Sequence, residues 1–484
     1  MQIPRPILIG FFVLLCFGQA FSQDSLQQIV PAIQDSAVAI TSVSGAAPVQ
    51  SMPTVIATEE SGGIHRFHGF IGIIFILGLA FLFSNNRKKI NLRLVISGLV
   101  LQALIAVLIL QVKPVRTFFE YLGKGMQKIE QFAKEGVNFV YGGIAVIGHD
   151  GSTQSYTAPH AFVFAFNVTA TIILVCVIVA VLYHIGIMQR IVAVIAKGMN
   201  FIMRVSGAEA LSNVASAFVG QVEAQVMIRP YLRGMTKSEL LASMSGSLAC
   251  IAGGILIVYA NMGAQAGMNL APKLIMASLM AAPGALIISK IVYPETEESQ
   301  TMGKVKLEVK SEYTNLIDAI SHGAGDGFKI AMNVIAMLIG FIALIALVDW
   351  SLMKVGHIFD PSFNLSLNWI FGKIFYPFAW SMGIPNQDVS NAATLLGQKL
   401  TVNEFLAFKN LTTNEIPIVT EKGLLIISIA ICGFANFSSV GMQIGGIGAL
   451  APERRADLAK LGLKALFCGT LASYLSACIA GILM

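Results

Sequence analysis

The sequence predicts an all-α polytopic membrane protein: eight transmembrane helices plus two re-entrant helical hairpins in an inverted repeat. Three observations carry that prediction. Of the 484 residues only 12% are charged and 55% are hydrophobic, and the mean hydropathy is +0.74. An ordinary soluble domain is about 25% charged and has too little interior for so much apolar surface, so the bilayer must serve as solvent. Eight apolar segments approach the ~20 residues that a spanning helix needs. Two further apolar segments are interrupted by polar residues at matching places in two halves of opposite orientation. This balance excludes a secreted enzyme, a cytosolic Rossmann-type protein and a disordered scaffold. The net charge of +6 is no nucleic-acid signal, because the basic residues sit in short clusters beside apolar runs.

Residues 1–22 read as a signal peptide. Arg5 supplies the positive start, Ile7 to Phe17 an apolar run too short to span, and Ala20-Phe21-Ser22 a small-x-small cleavage site. An uncleaved anchor is the alternative. Residues 23–63, rich in Ser, Ala, Thr and Gln and without Lys or Arg, read as a poorly ordered extracytoplasmic tail.

Spans follow at 68–85, 94–112, 161–186, 239–262, 270–293, 329–349, 421–447 and 461–483. With the tail outside, four basic clusters fall on the cytoplasmic side: Arg87 to Arg93, Arg190 to Arg204, Lys304 to Lys310 and Arg454 to Lys460. Eight spans then leave both mature termini extracytoplasmic. Lys113, Arg116, Lys124, Lys128 and Lys134 break the pattern. They alternate with Phe, Tyr, Ile and Glu in an amphipathic pattern, so that stretch reads as a helix lying on the outer surface. Trp350, Trp369 and Trp380 fall in one outer segment, as an interface belt would. The cysteines show no CxxC spacing and read as small core residues.

Residues 208–234 carry Asn213, Gln221, Glu223 and Arg229; residues 387–412 carry Asn391, Gln398, Lys399, Asn403 and Glu404. Each reads as a re-entrant hairpin, tolerated at membrane depth only where it packs in protein or lines a watery cavity. The first enters from inside and the second from outside. Each precedes a span with an expected helix break, at Gly253-Gly254 and at Asn436-Phe437-Ser438-Ser439. Each places one glutamate near its tip, Glu223 and Glu404. Such paired half-units are the layout of a secondary transporter with a midplane site, and intramembrane carboxylates favour a binding site over a buried hydrogen-bonded oddity.

Three ordered blocks make the sequence similar to a known family. Gly220-Gln221-Val222-Glu223-Ala224 with Arg229-Pro230-Tyr231-Leu232 resembles the GQTEA…RPYL segment of concentrative nucleoside transporters. Gly397-Gln398-Lys399 with Asn403-Glu404-Phe405-Leu406-Ala407-Phe408 resembles their GxKxxxNEFxA signature. Cys432-Gly433-Phe434-Ala435-Asn436-Phe437-Ser438-Ser439 with Ile444-Gly445-Gly446-Ile447-Gly448-Ala449 resembles their CGFANFSS…GGIGAL stretch. The likeness covers residues 65–484. It implies nucleoside uptake by cation symport, a homotrimer, and an inner transport domain moving elevator fashion against an outer scaffold. It implies no cofactor beyond a coupling ion, H+ or Na+. The signal peptide and the lack of long soluble domains point to a bacterial inner membrane.

The resemblance also implies a substrate site of Gln221, Val222, Glu223, Ile255, Glu404, Phe434, Asn436 and Ser439. The chemistry is apt. A carboxylate can accept from both ribose hydroxyls, Asn436 and Ser439 share a helix face, Gln221 offers donor and acceptor to a base edge, and Ile255 and Phe434 offer apolar walls. Core packing is the alternative for Ile255 and Phe434, and helix-break capping for Asn436 and Ser439. Arg229 reads as a cytoplasmic anchor rather than a partner for a hairpin carboxylate.

Three departures stand out. Val222 replaces the family's Thr, removing a hydroxyl that could reach the base, so pyrimidine selectivity does not follow. Gln225 replaces a Pro. Ser216 and Cys250 occupy the two side-chain sodium-ligand positions. A thiol is a poor ligand for a hard cation. Ser216, Cys250 and the backbone carbonyls of Val219 and Ile251 remain a candidate sodium site, but the reading favours proton coupling through Glu223 or Glu404.

The expected organisation is scaffold over 64–186, a first transport half over 187–312, a scaffold span and outer segment over 313–386, and a second transport half over 387–484. A passive nucleoside channel or facilitator is the alternative function. An intramembrane enzyme is disfavoured: there is no HExxH, no pair of Asp-rich motifs, and the seven histidines are scattered.

Overall fold

A computed structural model describes residues 64–141, 164–302, 313–360 and 365–483. The expected signal peptide and tail (1–63) and the Lys304 to Lys310 cluster lie outside the described residues. Among those described the chain is helical, and its only β pairing is an isolated bridge between Ser206 and Met302.

The first two expected spans are α1 (Ile64–Leu82) and α2 (Leu92–Gln111). The stretch that breaks the charge rule is one helix, α3 (Lys113–Tyr141). Its Gly123, Met126, Ala133 and Val137 are buried while Phe118, Tyr121 and Phe132 are exposed, the three-and-four spacing of an amphipathic helix. Next come α4 (Phe164–His184) and α5 (Ile187–Met203), bent by 77° at a left-handed Gly186.

The first hairpin descends through α6 (Gly207–Ser216) and returns through two short helices, α7 (Glu223–Val226) and α8 (Arg229–Leu232). Pro230 lies in the first turn of α8, where its missing N–H costs nothing. Then follow α9 (Lys237–Ala249), α10 (Gly253–Gln265) and α11 (Ala271–Val292). Both α6 and α9 start at the S/T-x-x-E signature, and both capping boxes form: Ser206 with Glu209 and Thr236 with Glu239.

The sixth expected span, 329–349, is the middle of a much longer helix, α12 (Leu316–Phe359). At 1.5 Å per residue its 44 residues run about 66 Å. Nothing in it stops helix growth until Asp360, whose following Pro361 disfavours helical backbone. Two short helices, α13 (Leu367–Ile374) and α14 (Tyr376–Ser381), lead to the second hairpin, α15 (Asn386–Thr401) and α16 (Glu404–Thr412). The chain ends with α17 (Glu421–Ile431), α18 (Phe437–Leu450) and α19 (Arg455–Leu483).

Among the described residues four helical stretches are long and apolar enough to cross a membrane, 92–111, 237–265, 271–292 and 452–483, with the bent α4–α5 pair a fifth if it is one span. Inside and outside are clearly separated. The apolar window of α2 is 28% buried and that of α11 is 94% buried. The core forms where α9, α11, α17 and α19 pack on one another, while α4 packs mainly along α12.

Both helix breaks lie earlier than expected. The first is at Cys250–Ala252, so Gly253-Gly254 opens α10 rather than interrupting it. The second is at Cys432–Asn436, so Phe437, Ser438 and Ser439 are already helical. Tertiary contact decides these positions: the two breaks meet. The N–H of Phe434 donates to the Cys250 carbonyl at 3.3 Å, and the N–H of Gly253 donates to Phe218 O at 3.2 Å. Gly433 permits the approach, since a Cβ there would overlap the carbonyl of Ala249.

Candidate functional site

The two hairpins present their glutamates in the same way. Glu223 is the first residue of α7 and Glu404 the first of α16. A helix N-terminus favours negative charge there. The local causes differ. Before Glu223, Gly220 turns the chain at φ 134°, a conformation open to glycine. Before Glu404, Asn403 caps α16 by accepting from the N–H of Leu406 at 2.9 Å.

Their surroundings diverge. Glu404 is 6% exposed. Its Oε1 accepts from the Tyr259 hydroxyl at 3.1 Å and its Oε2 from Asn436 Nδ2 at 2.9 Å. The other end of the Asn436 amide accepts from the N–H of Ser439 at 2.8 Å. Asn436 thus caps α18, as the helix-break alternative expects, and orients the carboxylate at once. Ser439 is buried beside it. Glu223 is exposed and lies in the electrostatic reach of Cys176 on α4 and Asp326 on α12.

Gln221 and Val222 turn towards α18. Gln221 Nε2 lies 3.9 Å from Met442 Sδ, and its buried Oε1 has no hydrogen-bond partner. Val222 packs on Gly446, where an added Cβ would come within 2.6 Å of it. Ile255 and Phe434 are half-buried, and both pack against the apolar core. The geometry therefore joins Glu404, Asn436 and Ser439 directly, and brings Gln221 and Val222 to the same helix, α18. Arg229 is exposed at the start of α8.

Two participants escaped the sequence reading. Tyr259 is 1% exposed, bonds Glu404 and stacks on Phe408 with centroids 4.4 Å apart. The signal was present: a tyrosine inside an apolar run needs a partner for its hydroxyl. The second is a hydroxyl network between the first hairpin and α9. Gln225 Nε2 donates to Ser212 at 3.0 Å and Ser247 at 2.8 Å, and its Oε1 accepts from Ser243 at 2.7 Å. The polar Gln225 is thus fully engaged.

The candidate sodium residues are likewise engaged. Ser216 Oγ donates to Ser212 O and shares a 2.8 Å hydrogen bond with Ser247 Oγ. The Cys250 thiol lies against the carbonyls of Asn213 and Ser278. Ser278 Oγ lies 3.3 Å from both Ala217 O and Ile251 O. Among the described residues no cluster of three or more His, Cys, Asp or Glu could hold a metal ion.

Comparison with known proteins agrees over most of the chain. Family models described as "Na+ dependent nucleoside transporter N-terminus", "Nucleoside recognition" and "Na+ dependent nucleoside transporter C-terminus" match residues 71–144, 165–266 and 273–481. An uncharacterized transporter of Haemophilus influenzae is 40% identical over 85% of this chain and 96% of that protein. Nucleoside permease NupC of Helicobacter pylori is 36% identical over 85% of this chain and 96% of its own length. The solved structure of CNTnw in an inward-facing substrate-bound state superposes with a TM-score of 0.79 at 37% identity, covering 86% of this chain and 97% of that one.

Proposed function

From the premise that this chain belongs to the concentrative nucleoside transporter family, a family of transporters and not of enzymes, we propose that it takes up nucleosides by proton symport across a bacterial inner membrane. The observation that carries the substrate site is the Tyr259–Glu404–Asn436 constellation. A buried carboxylate held by two neutral donors still has lone pairs for ribose hydroxyls, and Ser439 lies beside it. The unpartnered Gln221 Oε1 is an acceptor awaiting a donor, and a base edge supplies one. Val222, Ile255 and Phe434 form the apolar walls.

We assign residues 187–312 and 387–484 to the moving transport domain, and 64–186 and 313–386 to the scaffold. The domain moves as an elevator within a homotrimer. Glu223 then faces the scaffold pair α4–α12, exposed to water and able to exchange a proton. The preference for protons over sodium is supported by the engaged donors around Ser216 and Cys250. The hydroxyl of Ser278 reaches the Ile251 carbonyl that a hard cation would need.

The test is uptake of labelled uridine, adenosine, inosine and guanosine into proteoliposomes, under an imposed proton gradient and separately under a sodium gradient. Accumulation above the outside concentration, driven by the proton gradient and lost in Glu404→Gln, is the expected result. Accumulation that follows sodium and ignores pH would refute the coupling assignment. Plain equilibration under both gradients would establish a facilitator instead.

A further inference from the structure

Lys399 sits on α15, five residues before Glu404. Its side chain is wholly buried, at 0% exposed, and its Nζ has no hydrogen-bond partner. Its neighbour Gln398 is spoken for: Nε2 donates to Asn368 at 2.9 Å and Oε1 accepts from Asn410 at 2.9 Å. Lys399 has no such engagement. A buried ammonium without a neutralising charge costs several kcal/mol, so a lysine here needs an anion within electrostatic reach. The carboxylate within reach is Glu404, and the interaction is mutual. Both oxygens of Glu404 are met by neutral donors, Tyr259 and Asn436. Those donors orient the carboxylate, but they leave its charge uncancelled.

We propose that Lys399 is the built-in countercation of Glu404, a positioning residue that balances the charge of the substrate carboxylate without any bound metal ion. The inference rests on Glu404 being the nucleoside-binding carboxylate, and it adds the source of the opposing charge. It also separates the two hairpin carboxylates. Glu404 travels with its own cation, while Glu223, exposed at the start of α7, is the one left to take up and release a proton.

The test is a double-mutant cycle on ligand-free protein in detergent, with K399M, E404Q and the double variant, read as melting temperature. Each single variant leaves one buried charge alone. The double variant removes both, so its loss should be smaller than the sum of the single losses by at least about 3 °C. Additive losses would overturn the pairing. If K399M does not fold, recovery of folded protein on adding E404Q supports the proposal, and failure of the double variant to fold overturns it. In proteoliposomes, K399M should raise the KM for uridine about tenfold or more with little change in maximal rate; a KM at the wild-type value would overturn it. Failure of the site assignment looks different. An E404Q variant with an unchanged uridine KM refutes Glu404 as the ligand, while the stability cycle still decides whether the two side chains are paired.

Discussion

The two hairpins hold equivalent glutamates in opposite conditions. Glu404 is buried, bonded to Tyr259 and Asn436 and placed near Lys399. Glu223 is exposed at a seam facing α4 and α12. The first hairpin puts its polar strength elsewhere, into the Gln225–Ser212–Ser243–Ser247 network. Around the second glutamate the donors come from outside the hairpin, from Tyr259 on α10 and Asn436 at the head of α18, while the hairpin's own Gln398 and Asn410 bond each other. Equivalent places at the head of a hairpin helix therefore do not give the two glutamates the same surroundings; their neighbours set those. One glutamate is locked by side-chain donors and the other is exposed.

The comparison breaks most sharply if the two glutamates respond alike to replacement. Glu404→Leu leaves the Tyr259 hydroxyl and the Asn436 amide without acceptors, at about 1–3 kcal/mol for each stranded group. Its melting temperature should fall steeply and uptake should vanish. Glu223→Leu should keep a near-normal melting temperature while losing proton-driven accumulation. Equal destabilisation in thermal melts would end the distinction.

Gly433→Ala tests whether the two halves depend on their central contact. A Cβ there overlaps the Ala249 carbonyl, so the breaks must part or the helices shift. Overpacking of this kind costs about 1–3 kcal/mol. Transport should fall at least about tenfold, whereas Gly441→Ala, where a Cβ meets nothing within 4 Å, should behave as wild type in the same uptake assay.

Tyr259→Phe sharpens the comparison more gently. The ring keeps its stacking on Phe408 and one donor to Glu404 is lost. A hydrogen bond to a charged group is worth about 1.5–3 kcal/mol, part of which water can replace. The uridine KM should rise about three- to tenfold with little change in folding, read by uptake kinetics beside a melt. The smallest effect is expected in the first half. Placing harder oxygen donors at the candidate sodium site, with Ser216→Asn and Cys250→Ser together, should introduce a weak, at most few-fold, stimulation of uridine uptake by sodium. Strong sodium stimulation already present in the unaltered protein would contradict the proton assignment.

Much of this molecule was legible in its sequence because local rules govern the features concerned. Both capping boxes are fixed within four residues of chain, and the amphipathic face of α3 follows from the helical period alone. The hairpin glutamates were visible as carboxylates in apolar surroundings, and Asn436 as a polar residue at a helix break. Tyr259 stands in the sequence only as a hydroxyl that needs a partner; which group supplies it is not local, because Glu404 is 145 residues away. The break positions were each misplaced by a few residues for the same reason. Glycine pairs and Asn-Phe-Ser-Ser weaken a helix locally, but the Phe434 to Cys250 hydrogen bond joins chain segments 184 residues apart.

By itself the sequence determined the solvent, the helical class and which polar side chains stand in apolar stretches of chain. Apolar length, period and residue type are properties of contiguous chain. Only the tertiary structure decided which glutamate is locked and which is open, where the helices break, and that Lys399 is buried without a hydrogen-bond partner. Those depend on the dielectric and the donors that distant segments bring to one point, and no stretch of sequence carries them alone.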